Sequence, residues 1–157
     1  MPVLRRLRHA MQLLSGWARK PIREQLGIGL AAGLLVAVHG ALRIWSYPRV
    51  LAGIERAARR FPSRAKNDTR TARERAEQVE RVAHRIFPNS PCLSQALAVC
   101  FQYWRRNLPA SIHLGAMKDC AGVLSAHAWV ESAGEVIVGE TEKLADYELL
   151  SGIEAPE

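Results

Sequence analysis

Apolar positions recur at helical spacing through most of the chain and alternate with polar ones only near its end. Leu4, Leu7, Met11 and Leu14 form one helical stripe beside Arg5, Arg6 and Arg8. Leu26 to Leu42 is an almost uninterrupted apolar run. Further on, Ala76, Val79, Ala83 and Ile86 define an amphipathic helix, for which Thr71 and Glu74 offer a capping box. Leu93, Ala96, Leu97, Cys100, Phe101 and Trp104 keep the same period. Ser90 suits the N-cap of that helix and Pro91 its first turn, after the Pro88 to Pro91 turn. The pattern then changes to period two. Ala126, Ala128 and Val130 alternate with His127, Trp129 and Glu131, and Val136-Ile137-Val138 reads as the returning strand. The chain therefore predicts an α+β protein: several helices, then one helix packed on a small antiparallel sheet.

This placement gives two residues a chemical meaning. Cys92 falls in the first turn of its helix, where unpaired backbone N–H groups and the positive end of the helix dipole favour a thiolate. His127, 35 residues later, lies on a strand that can bring an imidazole alongside to hold or return the proton. If the hairpin turns on Ala133-Gly134, Ser132 pairs with Glu135 and, counting outward, His127 faces Glu140 as third member of a Cys-His-acid triad. A three-residue turn would instead set Gly139 opposite His127. Asp119, Glu131 and Asp146 are the substitutes for Glu140. Glu131, four residues along the strand, is roughly 13 Å from His127 at ~3.3 Å per residue, too far to orient it directly.

The stretches Cys92-Leu93-Ser94-Gln95-Ala96-Leu97-Ala98, Ile112-His113-Leu114-Gly115 and His127-Ala128-Trp129-Val130-Glu131 with Gly134 resemble the transglutaminase-like peptidase of lasso-peptide biosynthesis, often called the B protein. The resemblance covers about Pro88 to Glu142. It implies a papain-like arrangement and a cysteine protease that removes the leader from a ribosomally made precursor peptide, so that a separate ATP-dependent lasso cyclase can close the ring. It further implies Cys92 as nucleophile and His127 as general base and acid, with neither metal nor other cofactor. The third member in that family is usually an aspartate on the strand after the histidine, where this chain offers Glu140. The family also tends to carry arginine at the position of Gln95. Its full-length members can carry a small leader-recognition domain with strands. No alternating pattern precedes Pro88, so leader capture is expected from a separate recognition protein.

Composition narrows the picture. Residues 1–91 hold 18 Lys and Arg against 6 Asp and Glu, whereas residues 92–157 hold 4 against 9. Together with the linker-like Phe61 to Asp68, this suggests a basic helical region over 1–66 and a peptidase core over 67–157. The arginines from Arg56 to Arg85 are interleaved with Glu74, Glu77 and Glu80, and Glu77 to Arg81 is a favourable helix pair, which fits a solvated helix face better than a nucleic-acid site. Leu26 to Leu42 is 17 residues with four glycines and His39, short for a span and better suited to a buried or peripheral helix. The stripe from Leu4 to Leu14 would suit an anionic membrane face. No signal peptide is evident. Three cysteines without regular spacing argue against a disulfide framework or zinc site, with Cys100 and Cys120 read as small hydrophobes, and fit a reducing cytoplasm. Two other readings remain open: amide exchange or peptidase action on another peptide class, and a non-catalytic adaptor that docks a biosynthetic complex at the membrane.

Overall fold

A computed structural model of the chain describes residues 22–64, 67–86, 92–118, 120 and 122–153. The stripe from Leu4 to Leu14, the Pro88 to Pro91 turn with its cap, and Asp119 lie outside the described residues. Among the described residues four helices come first: α1 (Ile22–Ile44), α2 (Tyr47–Arg60), α3 (Thr69–Ile86) and α4 (Cys92–Trp104). Four strands follow: β1 (Ser111–Lys118), β2 (Leu124–Ser132), β3 (Glu135–Val138) and β4 (Glu148–Ile153), with a single 3₁₀ turn at Leu144–Asp146 before β4. The sheet is antiparallel in the order β3-β2-β1-β4. The α+β class expected from the pattern is the class observed.

Helix α4 is the centre of the molecule, in contact with α1, α2, α3 and the first three strands. Its sequence, mostly apolar and without a charged residue, lets it be covered on nearly every side. Ala96, Leu97, Ala98, Val99 and Cys100 are all fully buried. It ends in a Schellman motif: Asn107 takes φ 58°, and the N–H groups of Asn107 and Leu108 return to the carbonyls of Trp104 and Tyr103. Trp104 Nε1 donates to the Ala110 carbonyl at 3.0 Å and fastens the turn into β1.

The remaining helices each bury one stripe. In α2, which starts after Ser46 with Pro48 in its first turn, the stripe is Val50, Leu51, Ile54 and Ala58. In α3 it is Ala72, Ala76, Val79 and Ala83, the face that the periodicity indicates; the side chain of Ile86 is not described. The cap of α3 differs from the expected Thr71–Glu74 box. Asp68 Oδ1 accepts the Thr71 N–H at 3.0 Å, so the helix begins a turn earlier, and Glu74 pairs with Arg70 instead. Glu77 and Arg81 pair at 3.5 Å on the exposed face, as anticipated.

The loop from Phe61 to Asp68 joins α2 to α3, but it is held to the end of α4 through Ser63 N–H to Arg105 O and Asn67 N–H to Arg106 O. One hydrophobic core runs from Ala31, Leu35 and Val38 of α1 through α4 to Ile112, Val130 and Val138 of the sheet, continuous across residue 66.

The β2–β3 hairpin turns on Ala133 and Gly134, both with positive φ, and pairs Ser132 with Glu135 as the two-residue turn predicts. The outward count then breaks. Glu131 faces Val136, but Val130 faces Val138, because a bulge at this step takes up Ile137. The expected pairing of His127 with Glu140 is therefore displaced.

Candidate active site

Alternation along β2 sends Ala128 and Val130 into the core beneath α4 and His127, Trp129 and Glu131 to the other face. Strand β3 ends at Val138, so the adjoining edge of β2 is uncovered at Ala128. Cys92 takes that edge: its Sγ accepts the Ala128 N–H at 3.2 Å. The thiol at the start of α4 is thus fixed next to the residue that follows His127.

The imidazole is held from the other side. His127 Nε2 lies 2.7 Å from the Gly139 carbonyl oxygen. A carbonyl only accepts, so Nε2 carries the hydrogen and Nδ1 keeps its lone pair in the neutral ring. The group that orients His127 is therefore a backbone carbonyl, not the carboxylate of Glu140. Beyond the bulge, where β3 has ended at Val138, it is the Gly139 carbonyl that meets the ring. Gly139 has φ +83°, and a Cβ there would stand 2.7 Å from the Ala128 carbonyl oxygen, so this close crossing requires glycine.

Aromatic rings bracket the histidine. Trp129 stacks at 6.3 Å and 16°, and Tyr147 leans against it at 5.4 Å and 41°. The indole is locked by its Nε1 donating to Glu131 Oε1 at 2.9 Å and by His113 stacked on its far side at 5.4 Å. Glu131 Oε2 also stands 3.6 Å from His113 Nε2, longer than a hydrogen bond. Gly115, opposite His127 on β1, makes room for this stack, because a Cβ there would come within 2.9 Å of the Trp129 ring and 3.0 Å of Tyr147 Cβ. Tyr147 is the member that sequence reasoning missed. It sits before β4, and only the pairing of β4 with β1 brings it over His127.

A cavity of about 420 Å³ opens at this edge, lined by Cys92, Gln95, His127, Gly139 and Glu140, with Glu80 and His84 of α3 at its border. Glu140 is exposed on the cavity wall. Asp146 lies in the 3₁₀ turn and is exposed, and Glu131 serves Trp129. Of the other cysteines, Cys100 is buried, and burial pushes its thiol far above the ordinary range, whereas Cys120 is exposed. Among the described residues no group of three or more His, Cys, Asp or Glu could hold a metal ion.

A cysteine at a helix start, a histidine on the facing strand and a cavity shared by both are the parts of a thiol acyl-transfer site. A family model described as the transglutaminase-like superfamily matches residues 34–151, three quarters of the chain. The protein belongs to the transglutaminase-like superfamily, which includes cysteine peptidases and acyltransferases. No curated protein and no solved structure matches it.

Proposed function

We propose that the protein is a cysteine peptidase that cleaves the leader from a lasso-peptide precursor, with Cys92 as nucleophile and His127 as general base and acid. The observation that carries the chemistry is the joint fixing of Cys92 Sγ by the Ala128 N–H and of His127 Nε2 by the Gly139 carbonyl, which leaves Nδ1 as the basic nitrogen beside one open cavity. The choice of substrate rests on the motif runs from Cys92 to Ala98, Ile112 to Gly115 and His127 to Glu131.

In this reading the Cys92 thiolate attacks the scissile carbonyl and His127 protonates the leaving amine. The thioester left on Cys92 is then hydrolysed by a water that His127 deprotonates, freeing the leader carboxylate. Backbone N–H groups at the start of α4 oppose the charge on the tetrahedral oxyanion, and the Gln95 amide lies on the cavity wall to assist. Leader capture by a separate recognition protein and ring closure by an ATP-dependent cyclase complete the scheme, in the cytoplasm.

The test is mass spectrometry of the precursor peptide encoded beside this gene, incubated without ATP with this protein and the neighbouring recognition protein. A single cut at the leader–core junction, lost in Cys92→Ala, is expected. Incorporation of an added amine in place of water would identify an acyltransferase instead. An intact precursor with both the wild type and Cys92→Ala, the protein being folded and the recognition protein present, would turn the reading toward an adaptor.

A further inference from the structure

At the opposite end of α4 from Cys92, about 20 Å along the helix at ~1.5 Å per residue, three guanidinium groups meet. Arg75 of α3 and Arg105 and Arg106 after α4 line a cavity of about 480 Å³ against α1. Their satisfied contacts are few and neutral. Arg75 Nη1 donates to Gln78 Oε1 at 2.8 Å, and Arg106 Nη1 donates to Gln102 O at 2.6 Å and Gln102 Oε1 at 3.0 Å. Arg106 is 6% exposed, and its Nε, like that of Arg105, is buried without a partner. Among the described residues no carboxylate forms an ion pair with any of the three. Asp68 acts on Arg106 only at a distance, with its Oδ1 engaged by the Thr71 N–H. Burial and the neighbouring Arg105 and Arg75 charges pull the Arg106 guanidinium below its usual range. Unpaired cations collected in a recess leave a strong demand for an anion.

The rim of the cavity indicates which anion. Gly29, Leu30 and Gly33 of α1 form it, and all three are exposed. They continue into an outer face that carries Ile22, Leu26 and Val36, with Leu30 itself 65% exposed. Within Glu24–Ile44 an 18-residue window has mean hydropathy 1.7, yet only 22% of that window is buried. Its inner side, Ala31, Leu35 and Val38, is packed in the core, so in this fold α1 lies along a surface. Gly27 admits the arginines, since a side-chain carbon there would occupy the place of Arg75 Nη1. The 21 residues before α1 contain no Asp or Glu and carry Arg5, Arg6, Arg8, Arg19 and Lys20; they cannot supply the missing charge.

We propose that this pocket seats the phosphate of an anionic phospholipid, with the outer face of α1 resting among the acyl chains. Planar guanidinium forks suit phosphate oxygens, and an apolar helix face beside a cationic recess is the pairing an interfacial lipid presents. The inference is independent of the peptidase reading.

The experiment is vesicle flotation of the full chain with phosphatidylcholine alone and with phosphatidylglycerol admixed. Capture by the anionic vesicles is expected. Arg75→Gln with Arg105→Gln, folding checked by circular dichroism, should weaken it roughly thirtyfold, the effect of two membrane-facing charges. Removing the same charge outside the pocket, by Arg56→Gln with Arg85→Gln, should change it only a few-fold. Leu30→Glu should also weaken capture without lowering the melting temperature. Equal losses in the two double variants, or equal binding to neutral vesicles, would overturn the proposal. A parallel thermal-shift titration with inorganic phosphate separates the sources: protection of the wild type without vesicle capture would assign a soluble phosphate ligand and overturn the lipid.

Discussion

The three cysteines occupy three environments, and their reactivity should separate accordingly. Cys120 is exposed, Cys92 is half-buried at the open cavity, and Cys100 is sealed in the core with its thiol kept neutral by burial. Native alkylation followed by peptide mapping should mark Cys120 and Cys92 and spare Cys100 until the protein is unfolded. The acids divide as well. Glu140 makes no contact with the His127 Nε2, which the Gly139 carbonyl holds, so Glu140→Gln should retain cleavage within a few-fold, read by the initial rate on the precursor. Cys92→Ala should abolish it. At this scale the sequence was legible where helical and strand periods meet chemistry, at Cys92 and His127. It was not legible at Tyr147, because a ring contact made through the β4–β1 pairing leaves no local spacing to read.

Turns and bulges decide how these residues meet. The two-residue turn at Ala133-Gly134 was readable, since glycine at its second position fits the positive φ that a tight hairpin needs. The bulge at Ile137 was not: Val136-Ile137-Val138 is apolar throughout and offers no alternation to set a register. Its consequence falls on Gly139. Gly139→Ala forces a side chain at φ +83° into the Ala128 carbonyl and should both lower the melting temperature and cut the cleavage rate by more than Glu140→Gln does.

Helix α3 allows a test by pH. The Thr71 hydrogen bonds to Asp68 hold its carboxyl below the usual carboxylate range. A group depressed in the folded state adds stability above its unfolded pKa, about 3.9, and loses it as the pH falls through the lower folded value. Asp68→Ala should therefore lower the melting temperature at neutral pH, with the difference closing below about pH 4. Asp68→Asn, still able to cap, should keep most of the stability.

Over the whole molecule, the basic first half is not separate in its packing. Leu35 of α1 is fully buried in the same core as Leu97 of α4 and Ile112 of β1. Leu35→Ala should destabilise the protein by about 2–5 kcal/mol, measured by denaturant unfolding, in one transition that takes α1 and the sheet together. Charge bias suggested two regions because it reports surface, whereas the core follows the apolar stripes that α1, α2 and α3 all turn toward α4. The same bias concealed the recess at Arg75, Arg105 and Arg106, which draws on residues thirty positions apart.

The carbonyl that steadies His127 has a consequence for how such a site can be detected. Every amino acid supplies a carbonyl, so the constraint at position 139 is one of backbone shape and not of side-chain chemistry. Alanine scanning of the side chains around the cavity would find two functional groups, at Cys92 and His127, and miss the third. That third group neither ionises nor can be deleted, and ester substitution or a shift in the chain's path at Gly139 is the kind of change that would expose it.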